Sequence, residues 1–145
     1  MNWKNEAMEK LRQYDAMCLA ADNIPQEIRR LEQAATAIRS ARTDGCRVQS
    51  SGNRRDEALL DNMMSRQELH WRLDQTHAWL CSMNKALSAL TPEEKLVLQR
   101  FYICPEKGSV ERLCDELGLE NSSVYRKRDK ALRHFTVALY GCLEN

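Results

Sequence analysis

The most basic stretch of the chain lies between residues 126 and 134. It contains one acid, Asp129, and six basic residues: Arg126, Lys127, Arg128, Lys130, Arg133 and His134. Cations at this density neutralise phosphates, which provides the sequence-independent part of nucleic-acid affinity. Side chains that can contact base edges stand just before them: Asn121, Ser122, Ser123 and Tyr125. A solvated helix face is the alternative explanation for so many charges.

Two short apolar patterns must position these residues. The first has apolar side chains at i, i+3, i+4 and i+7, which predicts a helix: Val110, Leu113, Cys114 and Leu117. Gly118 follows, and glycine tolerates the left-handed conformation that ends a helix. A second helix is predicted to begin between residues 120 and 123, with its inward positions at Val124, Ala131, Leu132 and Phe135. This spacing predicts a helix-turn-helix, whose second helix enters the major groove of double-stranded DNA.

The register assigns different roles to the candidate DNA-binding residues. With Val124 inward, base edges are expected to meet the residues near the start of the helix: Asn121, Ser122, Tyr125 and Arg126. Lys130 and Arg133 lie further along and suit phosphate contacts. Ser109, at the start of the first helix, is expected to hold a phosphate with its neighbouring N–H groups. Ser123 and Lys127 complete the candidate set.

The upstream chain predicts a helical hairpin followed by a long helix. Apolar residues at helical spacing cover residues 2–21, and Asn23-Ile24-Pro25 is expected to break that helix. A second helix is expected from about Pro25 to Arg42, antiparallel to the first. Residues 43–55 lack periodicity and contain two glycines, so they predict a loop. From Asp56 to about Leu90 no proline or glycine interrupts one long helix.

The long helix carries a heptad seam. Apolar or small residues repeat at alternating spacings of four and three: Leu69, Leu73, Thr76, Leu80, Met83, Leu87 and Leu90. Such a repeat is typical of coiled-coil packing. It predicts either a seam that docks on the hairpin of the same chain or one that forms a homodimer. The residues expected to carry oligomerisation are Leu69, Leu73, Leu80, Met83 and Leu87.

A new helix is predicted at Thr91-Pro92-Glu93-Glu94, which combines an N-cap threonine, proline at the first helical position and early acids. That helix is expected to continue through Tyr102, and the final helix to end before Gly141. We therefore expect an all-α protein with two parts, residues 1–90 for oligomerisation or partner binding and residues 91–145 for DNA binding.

Composition and short motifs argue against several classes of protein, among them membrane proteins, metal-binding proteins and enzymes. The net charge is only +1, so any basic footprint must be local. The six cysteines form no Cys-x-x-Cys pair, and we expect reduced thiols in a cytoplasmic protein. No apolar run approaches the roughly 20 residues of a membrane span. His70, His77 and Cys81 are too scattered to predict a metal site. No catalytic motif or cofactor-binding motif is present, so an enzyme is not expected.

The last third of the chain resembles region 4 of bacterial sigma factors. The resemblance is carried by Leu-Thr-Pro-Glu-Glu at 90–94, by Val-Leu-x-x-x-Tyr at 97–102, by Glu-Leu-Gly-Leu at 116–119, by Val124 and by Ala-Leu-Arg at 131–133. Lys127 departs from the pattern, because region 4 usually has a buried aliphatic residue there. This departure predicts either a differently docked helix or a lysine that reaches towards the phosphate backbone.

The layout of the whole chain resembles the ArpU and RinA-type late-gene transcription activators of phages that infect Gram-positive bacteria. That resemblance implies a DNA-binding transcription regulator without enzymatic activity. The resemblance to region 4, which itself docks on RNA polymerase, implies bacterial RNA polymerase as a further partner. Two alternatives remain open. One is a phage DNA-packaging protein similar to a small terminase subunit, and the other is an adaptor that binds RNA polymerase without DNA.

Overall fold

The computed structural model describes residues 2–41 and 51–142, and all regular secondary structure in them is helical. Two long helices, α1 (Trp3–Ala41) and α2 (Ser51–Ser88), precede three shorter ones. These are α3 (Pro92–Leu98), α4 (Ser109–Leu117) and α5 (Asn121–Tyr140). A π-helical turn, Gln99–Ile103, follows α3 directly, and its wider ring is closed by the Cys104 N–H donating to the Gln99 carbonyl at 2.8 Å. The predicted all-α class is confirmed.

The predicted break at Asn23-Ile24-Pro25 is wrong, because α1 continues through Pro25 to Ala41. The two helices predicted on either side of this break therefore form one helix, Trp3–Ala41, and not an antiparallel hairpin. Proline in a helix interior removes one hydrogen bond and crowds the carbonyl four residues earlier. Burial on both sides of the proline outweighs this cost: Ala7 and Leu11 are buried before it, and Ile28 and Ala35 after it.

The loop predicted at residues 43–55 lies partly outside the described residues. Residues 43–50 lie outside the described residues, whereas residues 51–55 already belong to α2. Ser, Gly and Asn are poor residues for a helix interior, but they are tolerated where a helix begins. The sequence pattern therefore placed the start of the long helix a few residues too late.

The chain forms two compact units, which we call the terminal unit (Met1–Cys18 with Trp79–Asn145) and the middle unit (Leu19–Ala78). The boundary expected between residues 90 and 91 differs from this division. The reason lies in the core of the terminal unit, where buried residues of α1 and the end of α2 cluster with those of the later helices: Ala7, Leu11, Met83, Ala86, Leu90, Leu98, Tyr102, Ala131, Leu132 and Phe135. Residues of α3, the π-helical turn and α5 thus share one apolar core with the start of α1 and the end of α2.

Inside the middle unit, a polar contact joins the two long helices. The Asn62 side-chain N–H donates to the Leu31 carbonyl at 2.8 Å, and its oxygen accepts from Arg66 Nε at 2.8 Å. Asn62 is only 8% exposed, so both of its polar ends are satisfied where water is excluded. Among the described residues of this unit, the buried apolar ones are Ile28 and Ala35 of α1.

Candidate nucleic-acid interface

The turn between α4 and α5 consists of Gly118, Leu119 and Glu120. Gly118 adopts φ 65° and ψ 34°, and the N–H groups of Gly118 and Leu119 both bond to the Cys114 carbonyl. The left-handed helix end predicted at this glycine is confirmed. Leu119 packs against a small core of Val97, Leu113 and Val124, which fixes α4 and α5 to α3.

One face of α5 is buried and the opposite face is open. The buried residues match the predicted inward positions and add Thr136: Val124, Ala131, Leu132, Phe135 and Thr136. Arg126, Lys130 and Arg133 are exposed and follow one another at i, i+4 and i+7. Residues at this spacing share one helix face, so the three cations form a line roughly 10 Å long. Ser122 and Asn121 are exposed at the start of the same helix.

Two other bases of α5 are held by acids in the first turn of α3. Lys127 Nζ lies 2.5 Å from Glu93 Oε2, and His134 Nδ1 lies 2.7 Å from Glu94 Oε2. Glu94 is oriented by Thr91, whose hydroxyl caps the helix by accepting from the Glu94 N–H at 3.2 Å. The predicted N-cap is therefore confirmed. Lys127 is half-buried and extends towards α3, so it does not belong to the open cationic line.

Ser109, another of the predicted DNA-binding residues, also lies away from the open surface. It is 8% exposed, and its hydroxyl donates to the Glu106 carbonyl at 2.6 Å while accepting from the Glu106 N–H at 3.1 Å. Its own N–H bonds to the Glu106 carbonyl at 3.3 Å. The residue therefore closes the turn before α4, and neither its hydroxyl nor its amide is presented to a phosphate.

A tilted aromatic contact supports Tyr125 at the start of α5. The Tyr125 and Phe101 ring centroids are 5.8 Å apart, and the Arg128 guanidinium lies 5.1 Å from the first ring and 5.3 Å from the second. Tyr125 remains 42% exposed despite these contacts. Phe101 comes from the π-helical turn, so no linear pattern could have associated it with Tyr125. Arg128 is further held by Asp129, at 3.0 Å.

Asn121 and Ser123 are less open than the cationic line. Asn121 is exposed, but its side-chain oxygen accepts from the Cys114 thiol at 3.0 Å. That contact leaves its amide nitrogen as the group able to donate to a base. Ser123 is half-buried, on the side of α5 away from Tyr125. Of the two, only Asn121 extends the open surface.

The residues predicted to carry oligomerisation face the interior of the chain. Met83 is 1% exposed and lies in the core of the terminal unit, and Leu87 packs against that core. Leu69, Leu73 and Leu80 are half-buried. Thr76 of the same seam is buried, and its hydroxyl donates to the Arg72 carbonyl. All seven seam residues are buried or half-buried within the chain, which favours the alternative of a seam that docks on the chain's own helices.

Within residues 2–41 and 51–142, no three side chains of the metal-binding types come together, and no helix is long and apolar enough to cross a membrane. The cysteines of this part of the chain are free. Comparisons with known proteins give no family, because no family model, no curated protein and no solved structure matches this chain.

Proposed function

We propose that α4 and α5 form a helix-turn-helix that binds double-stranded DNA, with α5 in the major groove. The observation that carries this proposal is the line of Arg126, Lys130 and Arg133 on the open face of α5, opposite its buried residues. A basic stripe confined to one helix gives a nearly neutral protein a local site for phosphates.

The start of α5 is the part suited to reading bases. Arg126 is exposed there and can pair with the two acceptors of guanine. Tyr125 lies beside it, and its tilted contact with the Phe101 ring positions it before DNA binds. A side chain that is already positioned loses less freedom on binding. Lys130 and Arg133 lie further along the helix and contact phosphates.

We further propose that the protein regulates transcription, as a phage late-gene regulator. The regulatory role and RNA polymerase as an additional partner rest on the sequence resemblance of residues 90–135 to sigma region 4. The phage late-gene role rests on the resemblance of the whole layout to the ArpU and RinA-type activators. Capture of polymerase by the protein in the absence of DNA would favour the adaptor alternative, and a large ring of subunits would favour the packaging alternative.

The test begins by selecting an enriched site from a random duplex library with the unaltered protein. Binding to that site and to random duplex is then measured at several salt concentrations. Three free cations predict a slope of log affinity against log salt of roughly −3. Arg126→Ala should weaken binding to the selected site by about 1–3 kcal/mol and change binding to random duplex much less.

Lys130→Ala should weaken both DNAs alike and reduce the salt slope by about one. Arg29→Ala is the matched control, because Arg29 is an exposed arginine on α1 in the middle unit. It should leave both affinities unchanged. The proposal is wrong if the unaltered protein binds no duplex at low salt, and the base-reading role of Arg126 is wrong if Arg126→Ala weakens both DNAs equally.

A further inference from the structure

The outer face of α2 carries large apolar side chains that are open to solvent. Leu60 is 51% exposed, Met63 43%, Met64 58% and Trp71 63%. Isolated apolar residues are normal on a protein surface, but a contiguous apolar patch marks a site of association. All four residues belong to the middle unit, whereas α5 belongs to the terminal unit.

These four residues lie on one helix face. Leu60, Met64 and Trp71 follow at i, i+4 and i+11, and Met63 lies beside them, so they form a stripe about 16 Å long. The heptad seam, with Leu69 and Leu73, lies on the other side of α2 and is used inside the chain. The helix thus has two apolar faces, of which only one is covered.

The spacing of the stripe makes it complementary to itself. Leu60, Met63, Met64 and Gln67 stand at i, i+3, i+4 and i+7, and four residues at this spacing form a hole for a knob from a facing helix. In an antiparallel pair with the two-fold axis at Gln67, Trp71 of each copy lies opposite residue 63 of the other. We propose that a second copy of this chain docks on this stripe, with each Trp71 in the hole of its partner.

The charges beside the stripe fit the same register. Asp61 and Arg72 lie on the same flank of α2 and are both exposed. In the antiparallel pair, Arg72 of one copy lies within one residue of the level of Asp61 in the other, and the symmetry makes this contact twice. Arg72 also contacts its own Glu68 at 2.6 Å. The two Glu68 side chains approach one another near the two-fold axis, and each carboxylate is paired with the Arg72 guanidinium of its own chain.

In a parallel two-fold pair each flank of α2 faces the opposite flank of the partner, so Asp61 and Arg72 would not meet and their ion pairs would be lost. The antiparallel dimer is also isologous, so it closes with two copies and leaves no second stripe exposed. A second copy is therefore the occupant that this surface fits.

The first experiment measures mass in solution by light scattering and sedimentation over a range of protein concentrations. The unaltered chain should reach the mass of a dimer. Trp71→Glu and Met64→Glu should raise the dissociation constant at least about tenfold, because each places a charge in the buried centre of the interface. Leu19→Glu is the matched control: Leu19 is 59% exposed on α1, outside the stripe, and its replacement should leave the dimer intact.

The second experiment exchanges the flanking charges. Asp61→Arg and Arg72→Asp should each weaken association. The double variant should recover part of the lost affinity, since the exchanged pair re-forms while Glu68 still lacks its cation. Circular dichroism checks that every variant keeps its helical content. A monomeric unaltered chain, a dimer that survives Trp71→Glu, or a double variant that is no better than the single ones would each overturn the proposed interface. DNA binding is measured separately, so loss of the dimer does not decide the proposed function.

Discussion

Lys127 Nζ of α5 lies 2.5 Å from Glu93 Oε2 of α3. This pair neutralises one cation of the most basic stretch of the chain from within, and Glu94 contacts His134 of the same stretch. A cation engaged in this way is not available to a phosphate unless the pair opens. The line Arg126, Lys130 and Arg133 is therefore the open portion of the charge on α5.

Removing Glu93 should strengthen DNA binding. In Glu93→Gln, Lys127 is released and can contact phosphate, so we expect tighter binding to both the selected site and random duplex. The salt slope should become steeper by about one, since one more cation displaces counterions. The same titrations over salt concentration measure both quantities.

Loss of an acid near DNA would also strengthen binding without any role for Lys127. The variant Lys127→Ala and the double variant Glu93→Gln/Lys127→Ala separate the two effects. If Lys127 is the released group, the double variant should lose most of the gain in affinity. A double variant as tight as Glu93→Gln would show that the gain comes from the removed acid alone.

Truncating Phe135 should destabilise the terminal unit. Its side chain is fully buried in the core that joins α5 to α1 and α2. Phe135→Ala is expected to lower the free energy of unfolding by about 3–5 kcal/mol, through lost burial and the cavity left behind. Val137→Ala serves as the control on the same helix, because Val137 is 44% exposed. Chemical denaturation followed by circular dichroism would contradict the assignment if both variants lost equal stability.

Replacing Pro25 should stabilise α1. Alanine restores the missing hydrogen bond and removes the ring from the helix interior, which together stabilise the folded state by up to about 3 kcal/mol. The unfolded chain is more flexible with alanine than with proline, and this offsets about 1 kcal/mol of that gain. We expect a higher unfolding midpoint for Pro25→Ala. Pro105 lies outside any helix, so Pro105→Ala should give no gain. An unchanged or lower midpoint for Pro25→Ala would mean that α1 does not continue through residue 25.

The thiol of Cys104 should react slowly for an exposed cysteine. It donates to Asp15 Oδ2 at 2.8 Å, and this hydrogen bond, with desolvation and the carboxylate charge, raises the pKa of Cys104. The raised pKa stabilises the folded state at pH below the pKa of the unfolded thiol, and that contribution is lost as pH rises through the folded pKa.

Asp15→Ala should lower the pKa of Cys104 and move its alkylation by iodoacetamide to lower pH, because the thiolate is the reactive form. Peptide-resolved mass spectrometry follows the reaction, with the exposed Cys81 as internal reference. Identical pH profiles for Cys104 before and after the substitution would show that Asp15 does not act on the thiol.

Much of the candidate site follows from the register of a single helix. Once Val124 is placed inward, the helical period sets Arg126, Lys130 and Arg133 outward, as the structure has them. That Ser109 and Lys127 do not belong to the open surface could not be predicted in the same way. Each is decided by a partner from another segment, Glu106 before α4 and Glu93 on α3, and linear spacing carries no information on such contacts.

The sequence by itself determined the helical class and the helix ends that depend on local chemistry. The hydroxyl cap at Thr91 and the left-handed glycines at 118 and 141 act within a few residues of themselves. Tertiary structure decided whether Pro25 ends a helix and which apolar face of α2 is buried. At Pro25, the burial of several side chains along α1 outweighs the loss of one backbone hydrogen bond. Two apolar faces on one helix are equivalent in sequence until α1 covers one of them.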